Sequence, residues 1–140
     1  MITPHKSRFA AVALIAVIAS FAAAGPVLAH HSFSLEFDAT KQVTFHGVVT
    51  KVEWVSPHIY FYLDVKEGPG KVVNWVFESA GPNALARRGW NRNSLKIGDR
   101  ITVVAYRAKD DVHVASAREV VLADGRKMIA ASPNDGGPQF

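Results

Sequence analysis

An all-β fold is predicted by three features of this 140-residue sequence. Apolar and polar residues alternate with period two through most of residues 41–129. β-Branched and aromatic residues concentrate in those alternating runs. A single mid-chain segment carries helix signals.

The elements follow in order. "KQVTFHGVVTKVEWV", Lys41 to Val55, is a long β-branched and aromatic run interrupted by Gly47. A glycine inside a strand pattern predicts a bulge or a sharp bend. "HIYFYLDV", His58 to Val65, alternates cleanly. Ile59, Phe61, Leu63 and Val65 share one face; His58, Tyr60, Tyr62 and Asp64 share the other. "EGPGK" is a turn, which makes a hairpin into "VVNWVFES", Val72 to Ser79. There Val73, Trp75 and Phe77 oppose Asn74, Val76 and Glu78. "GPNALARRGW" predicts the one short helix, with Pro82 in its first turn and Gly89 at its C-cap. "LKIGDRITVVAYRA" gives a turn at Gly98-Asp99 and a fourth strand. "HVASAREVVLADG" gives a fifth strand and an Asp-Gly turn, and "RKMIA" is long enough for one more short strand. A long bent strand, a hairpin pair, a helix and two strands is the order of the OB-fold. That fold is a small five-stranded, partly open barrel with one short helix between strands three and four. A β-sandwich is the competing architecture, and a mid-chain helix fits it less well.

The ends differ from this domain. "MITPHKSR" carries Lys6 and Arg8 and no acid, and "FAAVALIAVIASFAAA" is uncharged. Gly25-Pro26 and "VLA" follow. A positive start, a short apolar run and small residues at −3 and −1 predict a cleavable signal peptide over 1–29, cut after Ala29. A cut after Leu28 would give an "AHH" start, which Leu at −1 disfavours. No stable membrane span is expected after cleavage, because the run is short and Ala-rich. Periplasmic or secreted localisation follows. Residues 30–40 are then a lead-in with a His-His start, 41–129 the barrel domain, and "AASPNDGGPQF", 130–140, a disordered tail.

Charge and cysteine usage narrow the function. The chain has 16 Lys+Arg and 12 Asp+Glu, and without Lys6 and Arg8 the balance falls to about +2. With an export signal, that small excess argues against nucleic acid as a partner. The absence of cysteine removes disulfides and thiolate metal sites.

Several stretches resemble a family of exported bacterial proteins catalogued as domain of unknown function 6152. They are "AHHSFSLEFD", "VTFHGVVTKVEWVSPHIYFYLDVK", "GKVVNWVFES", "GPNALARRGWNRNSLKIGDRITVVAYRAKD" and "LADGRK". Ser56 departs from the Asn expected in "WVSPH", and "DVHVASA" replaces smaller polar residues. The resemblance implies an exported single domain and brings no established activity, so function must come from the residues.

Histidines are the obvious metal donors in a chain without cysteine. If the chain starts at His30, that residue offers its α-amine and imidazole Nδ1 to one ion. A third nitrogen completes a histidine brace, a set suited to the tetragonal preference of Cu(II). His58, after Pro57, is the first choice for that nitrogen, and His31 is the other. His46 and His113 read as structural or exposed. The bland alternatives are a solvated lead-in and a histidine bonded only to backbone.

The sequence has no HExxH, no phosphate loop and no Ser/His/Asp spacing, so binding or delivery is expected rather than turnover. The competing reading is a metal-free adaptor. It would hold a periplasmic protein or small organic ligand on Tyr60, Tyr62, Asn74 and Glu78, with Trp54 nearby. Arg87 and Arg88 read as a solvated helix end, and Trp75 and Trp90 as packing.

Overall fold

A computed structural model describes residues 33–110, 112–133 and 135–138. The expected signal peptide, His30 and His31 lie outside the described residues.

The described chain is mostly β. Strands β1 (Phe37–Glu53), β2 (Tyr60–Lys66), β3 (Val72–Glu78), β4 (Arg100–Ala108), β5 (Val114–Val121) and β6 (Lys127–Ile129) form one sheet. Helix α1 (Phe33–Glu36) precedes β1, and α2 (Pro82–Arg87) lies between β3 and β4. The order is β3-β2-β1-β4-β5-β6, antiparallel between neighbours. β3 also pairs with β5 in parallel, Val76 to Val114 and Glu78 to Ser116. The sheet has six strands rather than five: the residues after the Asp124-Gly125 turn form β6 against β5.

β1 explains much of this arrangement. It pairs with β4 from Phe37 to Val48 and with β2 from Gly47 to Glu53. Gly47 therefore stands where both neighbours meet it. A Cβ there would lie 2.8 Å from the Asp64 carbonyl oxygen and 3.0 Å from the Leu63 Cβ. The glycine serves close approach of β2. The register irregularity comes slightly later, between Val49 and Lys51.

Period two puts Phe61, Leu63, Trp75 and Phe77 inside, each no more than 2% exposed. Phe45 meets Trp75 and Phe77 across the interior, and Phe61 stacks on Phe77 with centroids 5.3 Å apart. Burying each such side chain stabilises the fold by about 1.5–3 kcal/mol. α2 closes one side. Pro82 needs no amide partner in the first turn, Leu85 is buried, and Gly89 ends the helix at φ +86°. Trp90 follows into the core and donates its indole N–H to the Ile129 carbonyl at 2.9 Å.

The described segments on either side of residues 41–129 differ from the sequence reading. The described part of the lead-in is α1 and the first residues of β1, which begins at Phe37 rather than Lys41. Phe33, Phe37 and Tyr106 form a second apolar cluster. The described part of 130–140 is packed rather than disordered. Arg118, fully buried on β5, donates from Nη1 to Asp135 Oδ2 at 2.7 Å and from Nη2 to the Pro138 carbonyl. Its guanidinium also lies over the Phe33 ring. The Phe33 amide donates to the Asp135 carbonyl at 2.9 Å. A charged side chain placed on a covered strand face requires partners, and the tail supplies them. Composition alone does not report that demand. No helix among the described residues is long and apolar enough to cross a membrane.

Candidate functional site

The outer face of β1, β2 and β3 gathers the four residues named as ligand-binding candidates. Tyr60 stands opposite Glu78 on β3 and Glu53 on β1. Tyr62 stands opposite Val76 and Lys51, and Asp64 opposite Asn74. Cross-strand neighbours of this kind are close enough to interact directly. Tyr60 donates its hydroxyl to Glu78 Oε2 at 3.2 Å. Tyr62 donates to Glu53 Oε2 at 2.8 Å. Asn74 donates its amide to Asp64 Oδ1 at 2.8 Å and Thr50 Oγ1 at 3.0 Å.

The charges follow from these partners. Burial raises the Tyr60 phenol to about 12, and the negative charge and hydrogen bond of Glu78 add to it. The hydrogen bond to Glu53, together with burial, raises the Tyr62 phenol. Lys51 pairs with Glu53 at 2.5 Å and lies over the Tyr62 ring at 4.9 Å. Bonds from Lys51 and then Tyr62 hold the Glu53 carboxyl below its ordinary value. Each phenol is thus tied at its tip to a carboxylate.

Glu53, Lys51 and Thr50 belong to this network, and sequence reasoning missed them. The register irregularity at Thr50 is the cause. Val48 pairs with Asp64 before it; Lys51 pairs with Tyr62 after it. A one-residue shift reverses which β1 side chains face outward, and uninterrupted alternation conceals it. Trp54, expected near the face, is half-buried and packs against the main core.

His58 precedes β2 and stands beside this face. Its Nδ1 lies 3.0 Å from the Ser79 carbonyl oxygen and 3.6 Å from Glu78 Oε1. A carbonyl only accepts, so Nδ1 is the protonated nitrogen and Nε2 carries the lone pair of the neutral ring. The loop holding it is seated closely: a Cβ on Gly81 would lie 2.3 Å from the Pro57 carbonyl oxygen. The His58 ring is 6.5 Å from the Tyr60 ring, centroid to centroid. Its side chain is 27% exposed.

The other histidines divide differently. His46 is exposed on β1 and bonds through Nδ1 to Thr102 Oγ1 at 2.9 Å. His113 packs edge-on against the Trp75 ring at 5.1 Å. Among the described residues, no three His, Cys, Asp or Glu side chains are grouped to hold a metal ion. The tryptophans Trp75 and Trp90 are buried, and Arg88 donates to the Ala131 carbonyl.

The family of unknown function DUF6152 matches residues 17–116. The chain belongs to this family. The match contains every candidate site residue, from His30 to Glu78, and stops short of Arg118 and the tail that it holds. No curated protein and no solved structure matches the chain.

Proposed function

We propose that this chain is an exported periplasmic ligand-binding module that takes Cu(II) through its processed amino terminus. In this reading residues 1–29 are removed and His30 offers its α-amine and Nδ1. His58 gives the third nitrogen from Nε2, with His31 as the alternative donor. The domain is OB-like, a partly open barrel, a reading favoured by the strand cycle β1-β2-β3-β5-β4 and by α2 between β3 and β4.

The observation that carries the metal reading is the orientation of His58. Its Nδ1–H is fixed by the Ser79 carbonyl, with the Glu78 carboxylate beside it. A backbone or carboxylate partner on one ring nitrogen orients the other toward a metal and raises its basicity. Three nitrogen donors would suit Cu(II), which when bound would be stored or passed on rather than turned over. The test is Cu(II) titration read by EPR on protein processed by its own signal, with mass spectrometry confirming His30 as the first residue. A three-nitrogen signature that is lost in His30→Ala and weakened in His58→Ala supports the proposal. Equal affinity after blocking the terminus with an added Met overturns the brace.

A second reading is a metal-free adaptor for a protein or small organic ligand. It is favoured by Tyr60 and Tyr62 standing side by side with their hydroxyls tied to Glu78 and Glu53, which fixes both rings. Fixed aromatic rings offer contact area at low entropic cost. Tyr60→Ala and Tyr62→Ala would then keep the fold and lose a pull-down partner, with the histidines dispensable. An unchanged partner set in those variants would count against it.

A further inference from the structure

We propose that an outer groove crossing β2, β1 and β4, anchored by Lys66 and Arg100, binds a phosphate group. It shares no residue with the His58 site and does not depend on the copper reading.

The groove has a volume of about 400 Å³ and is lined by His46, Val48, Asp64, Lys66, Arg100 and Thr102, among others. The register builds it. Val48 pairs with Arg100 on one side and Asp64 on the other. His46 pairs with Thr102 on β4, and Lys66 ends β2. Three strands therefore bring polar side chains to one concavity.

The charges there are unbalanced. Asp64 is the carboxylate in the groove, and it already accepts from the Asn74 amide. Lys66 and Arg100 make no ion pair or side-chain hydrogen bond with any described residue. They reach the groove from opposite sides of β1, Lys66 from the end of β2 and Arg100 from the start of β4, so an oxyanion lying between them can meet both. The guanidinium fork suits an oxyanion in a two-pronged contact, and the ammonium adds a point charge. His46 and Thr102 are joined at 2.9 Å. When Thr102 donates to Nδ1, the neutral His46 ring presents Nε2–H as a further donor. Two cations and a neutral donor outweigh the Asp64 carboxylate, and the several oxygens of a phosphate group can meet all three donors at once.

The phosphate could come from the free ion or from a lipid headgroup, and two arms separate them. In the first, inorganic phosphate is titrated into the full processed chain and followed by amide NMR. Saturable shifts are expected at 46–48, 64–66 and 100–102, weakening with added NaCl as charges are screened. The double variant Lys66→Gln/Arg100→Gln should lower affinity by about tenfold or more, since two charge-assisted partners are lost. Both side chains are exposed, and an otherwise unchanged spectrum verifies the fold. In the second arm, vesicles with and without phosphatidylglycerol are sedimented with both proteins. Binding to anionic vesicles alone, lost in the double variant, assigns the headgroup. Phosphate binding without vesicle binding assigns the free ion. Shifts scattered over surface lysines, or affinities for both probes unchanged in the double variant, overturn the proposal.

Discussion

Removing the Asp135 carboxylate should cost this small domain a large part of its stability. Arg118 is fully buried, and the Asp135 side chain against it is 14% exposed. Asp135→Ala leaves a guanidinium charge in a covered site, with the Pro138 carbonyl as its remaining tail partner. Breaking one side of a buried ion pair costs about 3–5 kcal/mol. The tail is terminal and can swing away to admit water, so the lower end, about 3 kcal/mol, is expected. For a domain near 100 residues each kcal/mol moves the midpoint by about 4–8 °C, so the drop should be roughly 12–24 °C. Thermal and urea unfolding followed by circular dichroism would measure it. Arg118→Met is the informative partner variant. It removes the buried charge while keeping an apolar stem, and should be milder than Asp135→Ala. Truncation after Pro133 should cost at least as much as Asp135→Ala, since it also removes the Pro138 carbonyl and the Asp135 carbonyl that accepts from Phe33. A cost below about 1 kcal/mol for Asp135→Ala, the range of a surface pair, would refute the reasoning. So would an Arg118→Met variant less stable than Asp135→Ala.

Three further outcomes are expected. Gly47→Ala places a Cβ 2.8 Å from the Asp64 carbonyl oxygen, which is backbone and cannot rotate away. It should destabilise by about 1–3 kcal/mol in urea unfolding, and a neutral result would mean that β2 does not approach β1 so closely. Tyr60 keeps its proton in the folded state up to about 12, above the unfolded phenol. Its contribution is therefore complete below about pH 10 and lost as pH rises through about 12. Tyr60→Phe should flatten stability against pH across that window relative to the parent, and an identical slope would count against the Tyr60–Glu78 contact. Gly81→Ala sets a Cβ 2.3 Å from the Pro57 carbonyl oxygen and must displace the loop that carries His58. NMR shifts at His58 and weaker Cu(II) binding are expected, without loss of any donor; an unmoved His58 resonance would contradict the close seating.

Much of the site was legible because it lies on a regular hairpin. Alternation from His58 to Asp64 and from Asn74 to Glu78 placed Tyr60, Tyr62, Asn74 and Glu78 on one face, and β2 pairs with β3 without a break. The partners on β1 were not legible. Glu53 and Lys51 reach the tyrosines through the irregularity near Thr50, where an extra residue interrupts the pairing. The sequence signal pointed to Gly47 instead, because glycine marks close approach and bulge alike. His58 was legible as a candidate donor, but its tautomer depends on the Ser79 carbonyl, which arrives only when β3 ends beside it.

By itself the sequence determined the local elements. Side-chain periodicity, Pro82 at the helix start, Gly89 after its end and the turn glycines are properties of neighbouring residues. They locate the strands and α2 without reference to distant parts of the chain. Tertiary structure decided what those elements could not encode. It paired β3 with β5 in parallel, drew β6 onto the sheet edge and brought Phe33, Asp135 and Pro138 to Arg118. The physical reason is the range of the demand. A hydrophobic alternation is satisfied within one strand. A buried guanidinium on β5 must find its carboxylate elsewhere, and here it finds it in a Pro- and Gly-rich tail whose composition alone predicts no structure.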